Sequence, residues 1–511
     1  MTKKTIILTA FIVLKLLVPF LVISDAYDLQ RDEYLHLDMA HHLAWGYASV
    51  PPVTSWISWL IYTLGNTIFW VKFFPSLFGA LTILVVWKTI TELKGNLYAL
   101  VLGATCVLFS ALLRVNILFQ PNSLDILCWT AFYFMLVKYI NTQKPAWLYI
   151  AALVFAIGFL NKYNIAFLLI GLFPAILMTE HRRIFIEKHF YGAILFGLIL
   201  IAPNLIWQIR NEFPVFRHLK ELAATQLVFV KRSDFLKEQL LYFNGALVVI
   251  MAGLFALLRY PPFRKYILYF PALVFTLIVF TYLKAKSYYA IGLYPVYIAF
   301  GSVYLESFLQ NGWKKYLRPI ILLLPLLLFI PFYGIIFPNK SPQYISENPK
   351  PYQKFGLLRW EDGKEHILPQ DFADMLGWKE LAEKVDSISL TIPNPSQTIL
   401  LCDNYGQAGA INYYSKNKTI RAVSFNADYI NWIDTSQNII NAILVKEDDD
   451  EDKERKTEQA LFDTVYLAAK RINSLAREPE ISIYVLRGAR VDVNKRIRDE
   501  IHAKKYGTLG E

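Results

Sequence analysis

DLQRDEYLHLDMAHHLAWGYASVPP, residues 28–52, decides how this chain is read. Asp28, Arg31, Asp32, Glu33, His36, Asp38, His41 and His42 crowd its first fifteen residues, directly after an apolar run. Tyr34, Leu35, Leu37, Leu43, Trp45 and Tyr47 are threaded between them. Lipid does not tolerate such a density of charge, yet the interleaved apolar residues need cover. The mixture predicts a segment lying along a membrane surface, its polar side toward a cavity and its apolar side toward lipid or protein. It is a candidate catalytic loop.

The composition around it agrees. Of 511 residues, 55% are hydrophobic and the mean hydropathy is +0.35, against roughly 45–50% apolar content in soluble domains. A polytopic α-helical membrane protein is expected. The net charge of +11 falls largely in short loops between apolar spans, where Lys and Arg set topology and meet anionic headgroups. No recognition module accompanies it, so nucleic acid is not an expected partner. Cys106, Cys128 and Cys402 form no CxxC or Cys/His cluster, which points away from a disulfide framework or structural zinc.

About eleven spans are expected. The first, 5–23, follows Lys3 and Lys4, lacks a clear small-residue cleavage site and reads as an uncleaved helix with a cytoplasmic N-terminus. The others are 65–88, 97–113, 124–139, 146–160, 164–178, 190–209, 239–258, 266–282, 288–308 and 317–337. On that topology every cytoplasmic loop is basic, as the positive-inside rule requires. One opposite loop breaks the rule: 210–237 carries Arg210, Arg217, Lys220, Lys231, Arg232 and Lys237. An anionic ligand or a solvated amphipathic surface helix would each account for it.

The odd number of spans puts the tail outside the cytoplasm, where the composition becomes that of a soluble domain. Its QTILLC (397–402) and ISIYVL (481–486) read as buried strands, and 372–385 and 457–475 as amphipathic helices, giving a small C-terminal α/β domain. The expected division is 1–337, with the first outer loop at 24–64, and 338–511. The acidic run EDDDEDKE (447–454) reads as a solvated loop; it lacks the glycine spacing of an EF-hand. No GxGxxG or Walker A occurs, and GQAG at 406–409 is too weak a signal for a nucleotide loop.

Asp32 and Glu33 pair a candidate general base with a neighbouring acid; as pure structure they would cap the helix that starts near Tyr34. Asp125 follows the helix-breaking QPN at 120–122, on the same side of the membrane, which suggests a shared cavity. Lys162 in GFLNKYN and Lys284 and Lys286 in YLKAKSYY sit at span boundaries. They either snorkel to headgroups or converge with Arg114, Arg210 and His218 on a phosphate or pyrophosphate. His41 and His42 with Glu33 and Asp38 lack zinc-ligand spacing, while a divalent cation held by acids and a lipid phosphate stays open.

With DEYLHLDMAHHLAWGYASVPP, the segments QPNSLDILCW, GFLNKYN, FPVFRHLKEL, KSYYAIGLYP, LPQDFADMLGWKELAEKV and NYGQAGAINYY resemble glycosyltransferase family 39 in a bacterial branch. That family includes protein O-mannosyltransferases and lipid A aminoarabinose transferases. The resemblance implies the glycosyltransferase C fold and a polyprenyl-phosphate sugar donor, with a lipid, glycan or protein as acceptor. It also implies a place in the bacterial cytoplasmic membrane, with the active site and tail extracytoplasmic. By resemblance Asp32 is the catalytic carboxylate, Glu33 its neighbour and Asp125 the acid of the second outer loop. Lys162, His218, Lys286 and Tyr288 match motif positions and, with Tyr289 and Tyr47 of the same motifs, are expected to bind substrate; Arg210 joins them as one of the converging cations. The tail does not match the β-trefoil of eukaryotic mannosyltransferases, so sugar and acceptor stay open. The competing expectation is a transporter or flippase of polyprenyl-linked glycans; no repeated half-structure with interrupted helices supports it.

Overall fold

Within lipid a backbone satisfies its own polar groups as a helix or in a closed barrel, and long continuous apolar runs suit the helix. The computed structural model, which describes residues 2–448 and 452–506, forms two compact units. The first contains Met1–Ile23, Ala44–Thr54 and Asn66–Asn339; the second contains Ser24–Leu43, Ser55–Gly65 and Lys340–Glu511.

In the first unit, five helices among the described residues are long and apolar enough to cross a membrane: Ile68–Glu92, Asn122–Thr142, Lys188–Arg210, Ser287–Phe308 and Gly312–Ile336. Two further candidates are bent pairs. Tyr163–Leu177 turns through 107° into Glu180–Ile186, and Arg232–Tyr242 through 67° into Asn244–Arg259. Leu97–Leu108, Ala146–Asn161 and Tyr269–Tyr282 are shorter apolar helices. With Lys3–Leu17, each expected span overlaps a helix, but 239–258 runs across the 67° bend, and among the described residues five helices, or seven with the bent pairs, are long and apolar enough to cross, against about eleven expected. Ser287–Phe308 is central, 83% of its apolar window being buried, while Gly312–Ile336 has only 6% of its window covered.

Two glycines set the central contact. A Cβ on Gly301 would lie 1.8 Å from the Val249 carbonyl oxygen, and one on Gly253 would lie 2.4 Å from that of Tyr297. The helices Leu247–Arg259 and Tyr294–Phe308 therefore meet backbone to backbone, as small residues permit within membranes.

The second unit is built on a mixed five-stranded sheet of order β2-β1-β3-β5-β4. Its strands are β1 (Thr398–Cys402), β2 (Ala422–Ser424), β3 (Asn441–Glu447), β4 (Phe462–Ile472) and β5 (Glu480–Ala489). β1 lies parallel to β2 and β3; β5 runs antiparallel to β3 and β4. Ile399, Leu444, Phe462, Leu486 and Ile497 form a core on one side.

The strands read from QTILLC and ISIYVL are β1 and β5. The helix expected over 457–475 is not formed: a short Lys456–Gln459 helix precedes β4, which pairs along β5 from Phe462 to Ile472. Strand pairing overrides an apolar spacing that also suits a helix. The helix expected over 372–385 is broken at Gly377 (φ +80°) into Gln370–Ala373 and Trp378–Ser389. Residues 449–451, in the middle of the acidic run, lie outside the described residues.

Gly301→Val should lower the thermal unfolding midpoint of the detergent-solubilised protein, a loss of about 1–3 kcal/mol. Gly197→Ala should not, because its Cβ would meet Ala152 at an ordinary 3.6 Å. Equal midpoints for wild type and Gly301→Val would contradict the backbone contact.

Candidate active site

In the second unit, the charged stretch folds as the helix Arg31–Asp38, which opens with a capping box. Gln30 Oε1 accepts from the Asp32 amide at 2.9 Å, and Glu33 Oε2 accepts from the Gln30 amide at 2.8 Å. Glu33 is fully buried, so the cap that the sequence offered to either acid is made by Glu33. Asp32 is half-buried and accepts a hydrogen bond from the Tyr405 hydroxyl at 2.6 Å. The Arg31 guanidinium lies over the same Tyr405 ring, 4.4 Å from its centroid. Burial raises the Tyr405 phenol well above its usual range, which keeps it a donor.

Residues of the tail hold this helix throughout. Gln30 Nε2 donates to Asp374 Oδ2 at 3.1 Å, and Arg477 pairs with Asp374 Oδ1 at 2.9 Å. Burial pushes the Asp374 carboxyl up to about 6, with Arg477 and Arg31 pulling it the other way. Asp28 Oδ2 accepts from the amides of Trp378 and Lys379, at the start of the Trp378–Ser389 helix. Asp38, 6% exposed, accepts from Arg421 at 2.7 Å, Asn412 at 2.6 Å and Tyr429 at 2.8 Å. Asp38 is thus occupied by an arginine and two polar side chains. Its suggested metal partner His42 instead stacks on Trp432, with centroids 4.3 Å apart. Among the described residues no group of three or more His, Cys, Asp or Glu side chains is placed to hold a metal ion.

The GQAG run proves to be a packing surface. Asn404 Oδ1 caps the Tyr405–Tyr414 helix through the Gly406 and Gln407 amides, and a Cβ on Gly409 would lie 2.8 Å from Tyr34 Cβ.

In the first unit a separate polar cluster sits where the Asn122–Thr142 helix begins. Asp125, 4% exposed, accepts from Trp129 Nε1 at 3.1 Å and Asn164 Nδ2 at 2.8 Å. The same Asn164 nitrogen donates to the Tyr289 carbonyl at 3.0 Å, and its buried Oδ1 has no partner among the described residues. Lys162 Nζ donates to Asn122 Oδ1 at 2.7 Å and lies 4.3 Å from the Tyr289 ring centroid and 5.1 Å from that of Tyr288. Asp125 attracts this ammonium and Lys286 repels it. The break between Ala146–Asn161 and Tyr163–Leu177 is what lets Asn161, Lys162 and Asn164 all reach polar partners.

Asp125, Lys162, Lys286, Tyr288 and Tyr289 are therefore brought together in the first unit. Arg210 ends the Lys188–Arg210 helix, exposed, and His218 lies half-buried on Pro214–Thr225. Neither makes a side-chain hydrogen bond or ion pair among the described residues. Tyr47 is buried in a turn of its own making, its hydroxyl accepting from the Ala44 amide at 3.0 Å. Sequence reasoning missed Asn122, Asn164, Tyr405, Arg421 and Tyr429. The signal for the first three lay in quoted motifs; nothing local marks the last two.

Against known proteins, residues 49–207 match the family model described as dolichyl-phosphate-mannose-protein mannosyltransferase. That match takes in Asp125 and Lys162 and begins downstream of Asp32. No curated protein matches the chain. Among solved structures, ArnT from Cupriavidus metallidurans bound to undecaprenyl phosphate is similar at 13% identity and TM-score 0.60, over 93% of this chain and 97% of that one. Its apo state is similar at 13% identity and TM-score 0.63, over 95% and 98%. The oligosaccharyltransferase AglB from Archaeoglobus fulgidus, in complex with an inhibitory peptide and a dolichol-phosphate, is similar at 12% identity and TM-score 0.50, over 86% and 69%. The chain is a multi-pass membrane protein of the glycosyltransferase C fold.

Burial lowers His42 to about 4, against 6.5 for free imidazole; the Arg421 and His41 charges add to this and Asp38 opposes it. A depressed imidazole value favours the neutral form, so its contribution to stability is full above pH 6.5 and is lost as pH falls toward 4. In NMR of histidine-labelled protein, the resonance that disappears in His42→Gln should titrate well below 6.5. A midpoint at or above 6.5 would refute this placement.

Proposed function

We propose, for this family-39-like glycosyltransferase, transfer of a sugar from a polyprenyl-phosphate donor to an acceptor hydroxyl, with inversion at the anomeric carbon. Asp32 takes the acceptor's proton as the acceptor oxygen forms its bond to the anomeric carbon. The bond from that carbon to the phosphate oxygen breaks, and the polyprenyl phosphate leaves with the electron pair. Lys162, backed by Lys286, Arg210 and His218, stabilises the charge gathering on the leaving phosphate. Glu33 positions Asp32 by holding the helix start, and Asp125 fixes Asn164 and Lys162. The catalytic centre and the tail face the outside of the cytoplasmic membrane, where lipid, glycan or protein serves as acceptor. The bilayer confines the donor, so positioning supplies part of the rate.

The observation that carries this reading is the Lys162 constellation. One ammonium is fixed by Asn122 over two tyrosine faces, beside a buried carboxylate, at a break between apolar helices. Ionisable groups so placed at a membrane edge are costly and therefore mark function. Lysine retains donors for a phosphate while its stem is held. The likeness to ArnT and AglB, one bound to undecaprenyl phosphate and the other to a dolichol-phosphate, supports the same donor class.

Membranes supplied with radiolabelled polyprenyl-phosphate sugars test it. Wild type should move label to an acceptor, and Asp32→Asn should lose about 10²–10⁴-fold. Lys162→Met should lose about 10²–10³-fold. Tyr405→Phe, which removes only the hydroxyl on Asp32, should lose roughly tenfold. Full activity in Asp32→Asn would remove it as the base. Failure of every donor, with lipid-linked glycan crossing sealed vesicles, would replace transfer by transport.

A further inference from the structure

At the opposite end of the Asn122–Thr142 helix from Asp125, roughly 20 Å away along its axis, lies a cavity of about 450 Å³. That volume is within the range of ordinary ligand sites, about 300–1,000 Å³. Its polar wall is the Glu180–Ile186 turn, which supplies Glu180, Arg182 and Arg183; Glu187 follows. None of these four side chains has a hydrogen bond or ion pair among the described residues. His181, by contrast, is spent on the Lys265 carbonyl at 2.7 Å and ties the turn down. The rest of the lining is mainly apolar, with Leu136, Ile140, Ile176 and Leu268 beside Tyr139 and Gln143.

Three features together select the occupant. The charges are balanced, two guanidinium groups against two carboxylates, so a simple anion meets as much repulsion as attraction. The helix that supplies Ile176 also carries exposed apolar side chains at the same end, Phe173 at 57%, Leu177 at 46% and, as its cap, Met178 at 70%. The turn itself follows the 107° bend, so it crosses the end of the helix rather than extending it. A ligand that satisfies all three carries a phosphate, a primary ammonium and acyl chains.

We propose that this cavity binds one diacyl phospholipid with a zwitterionic ethanolamine head. Its phosphate pairs with Arg182 and Arg183, its ammonium with Glu180 and Glu187, and its chains lie along Ile176, Leu177 and Phe173. The guanidinium groups match phosphate oxygens, and the primary ammonium gives each carboxylate a donor that a quaternary choline lacks. The site stands apart from Asp125, which is at the other end of the same helix.

The test is native mass spectrometry on the full chain in detergent. The probes are dioleoyl-phosphatidylethanolamine, its phosphatidylglycerol and phosphatidylcholine counterparts, and soluble phosphoethanolamine as competitor. Wild type should retain one ethanolamine lipid roughly tenfold more tightly than either counterpart. Arg182→Ala with Arg183→Ala should weaken that binding roughly tenfold, and Glu180→Gln with Glu187→Gln should abolish the preference over choline. All four side chains are at the surface or cavity wall, and size-exclusion profiles check that the variants fold. Equal retention by wild type and both variants overturns the site. Tighter binding of phosphatidylglycerol would make it an anion site instead. Competition by phosphoethanolamine at the lipid's own concentration would identify a free metabolite rather than a membrane lipid.

Discussion

A carboxylate taken out of water must be given partners, and Asp38 shows where they come from. Its three donors, Arg421, Asn412 and Tyr429, are all more than 370 residues downstream. An unpaired buried carboxylate would cost several kcal/mol, and removing one partner of such a set is far more damaging than the set is stabilising. The consequence is topological. Residues 24–43, which the sequence inserts between membrane helices, belong to the same compact unit as the tail. Asp28, Gln30 and Asp32 repeat the pattern at the other end of the helix, each bonded to tail groups.

The membrane unit obeys a different rule. Apolar helices gain little from burying more apolar surface within lipid, so contacts depend on close approach and on polar groups that find each other. Gly253 and Gly301 supply the first; the Asp125–Asn164–Lys162 cluster supplies the second. Lys15 does the same on a smaller scale: it is fully buried in its apolar helix, and its ammonium donates to the Leu112 carbonyl at 3.3 Å. Breaks in helices occur where such groups must converge, and NKYN at 161–164 is one of them.

What was legible in the sequence follows from this difference. Spans were readable because hydropathy over a window is a local property, and each expected one overlaps a helix, although the bend inside 239–258 was not readable from it. β1 and β5 were readable as short apolar runs. β4 was not, because an edge strand with one neighbour carries a mixed pattern: Tyr466 and Leu467 are 39% and 45% exposed while Arg471 is buried. Its identity is conferred by β5. Asp125 and Lys162 were each legible because charged residues at span boundaries stand out; that they join in one cluster was not, because the motifs holding them are nearly forty residues apart. The partners of Asp38 were not: arginine or tyrosine in a soluble-looking domain carries no mark of a residue nearly four hundred positions upstream.

The adjacent acids Asp32 and Glu33 pose a last question, which of the two the start of the helix engages. Successive helical positions point about 100° apart, so neighbours in a first turn cannot serve the same partner. A capping box needs its acid at the third helical position, and that position is Glu33. Asp32, one residue earlier, is turned away from the cap and toward Tyr405 and Arg31, with its backbone amide already satisfied by Gln30. The pair therefore divides its labour by helical geometry alone. One carboxylate is committed to where the helix starts, and the other, fixed by that start, is presented on its side.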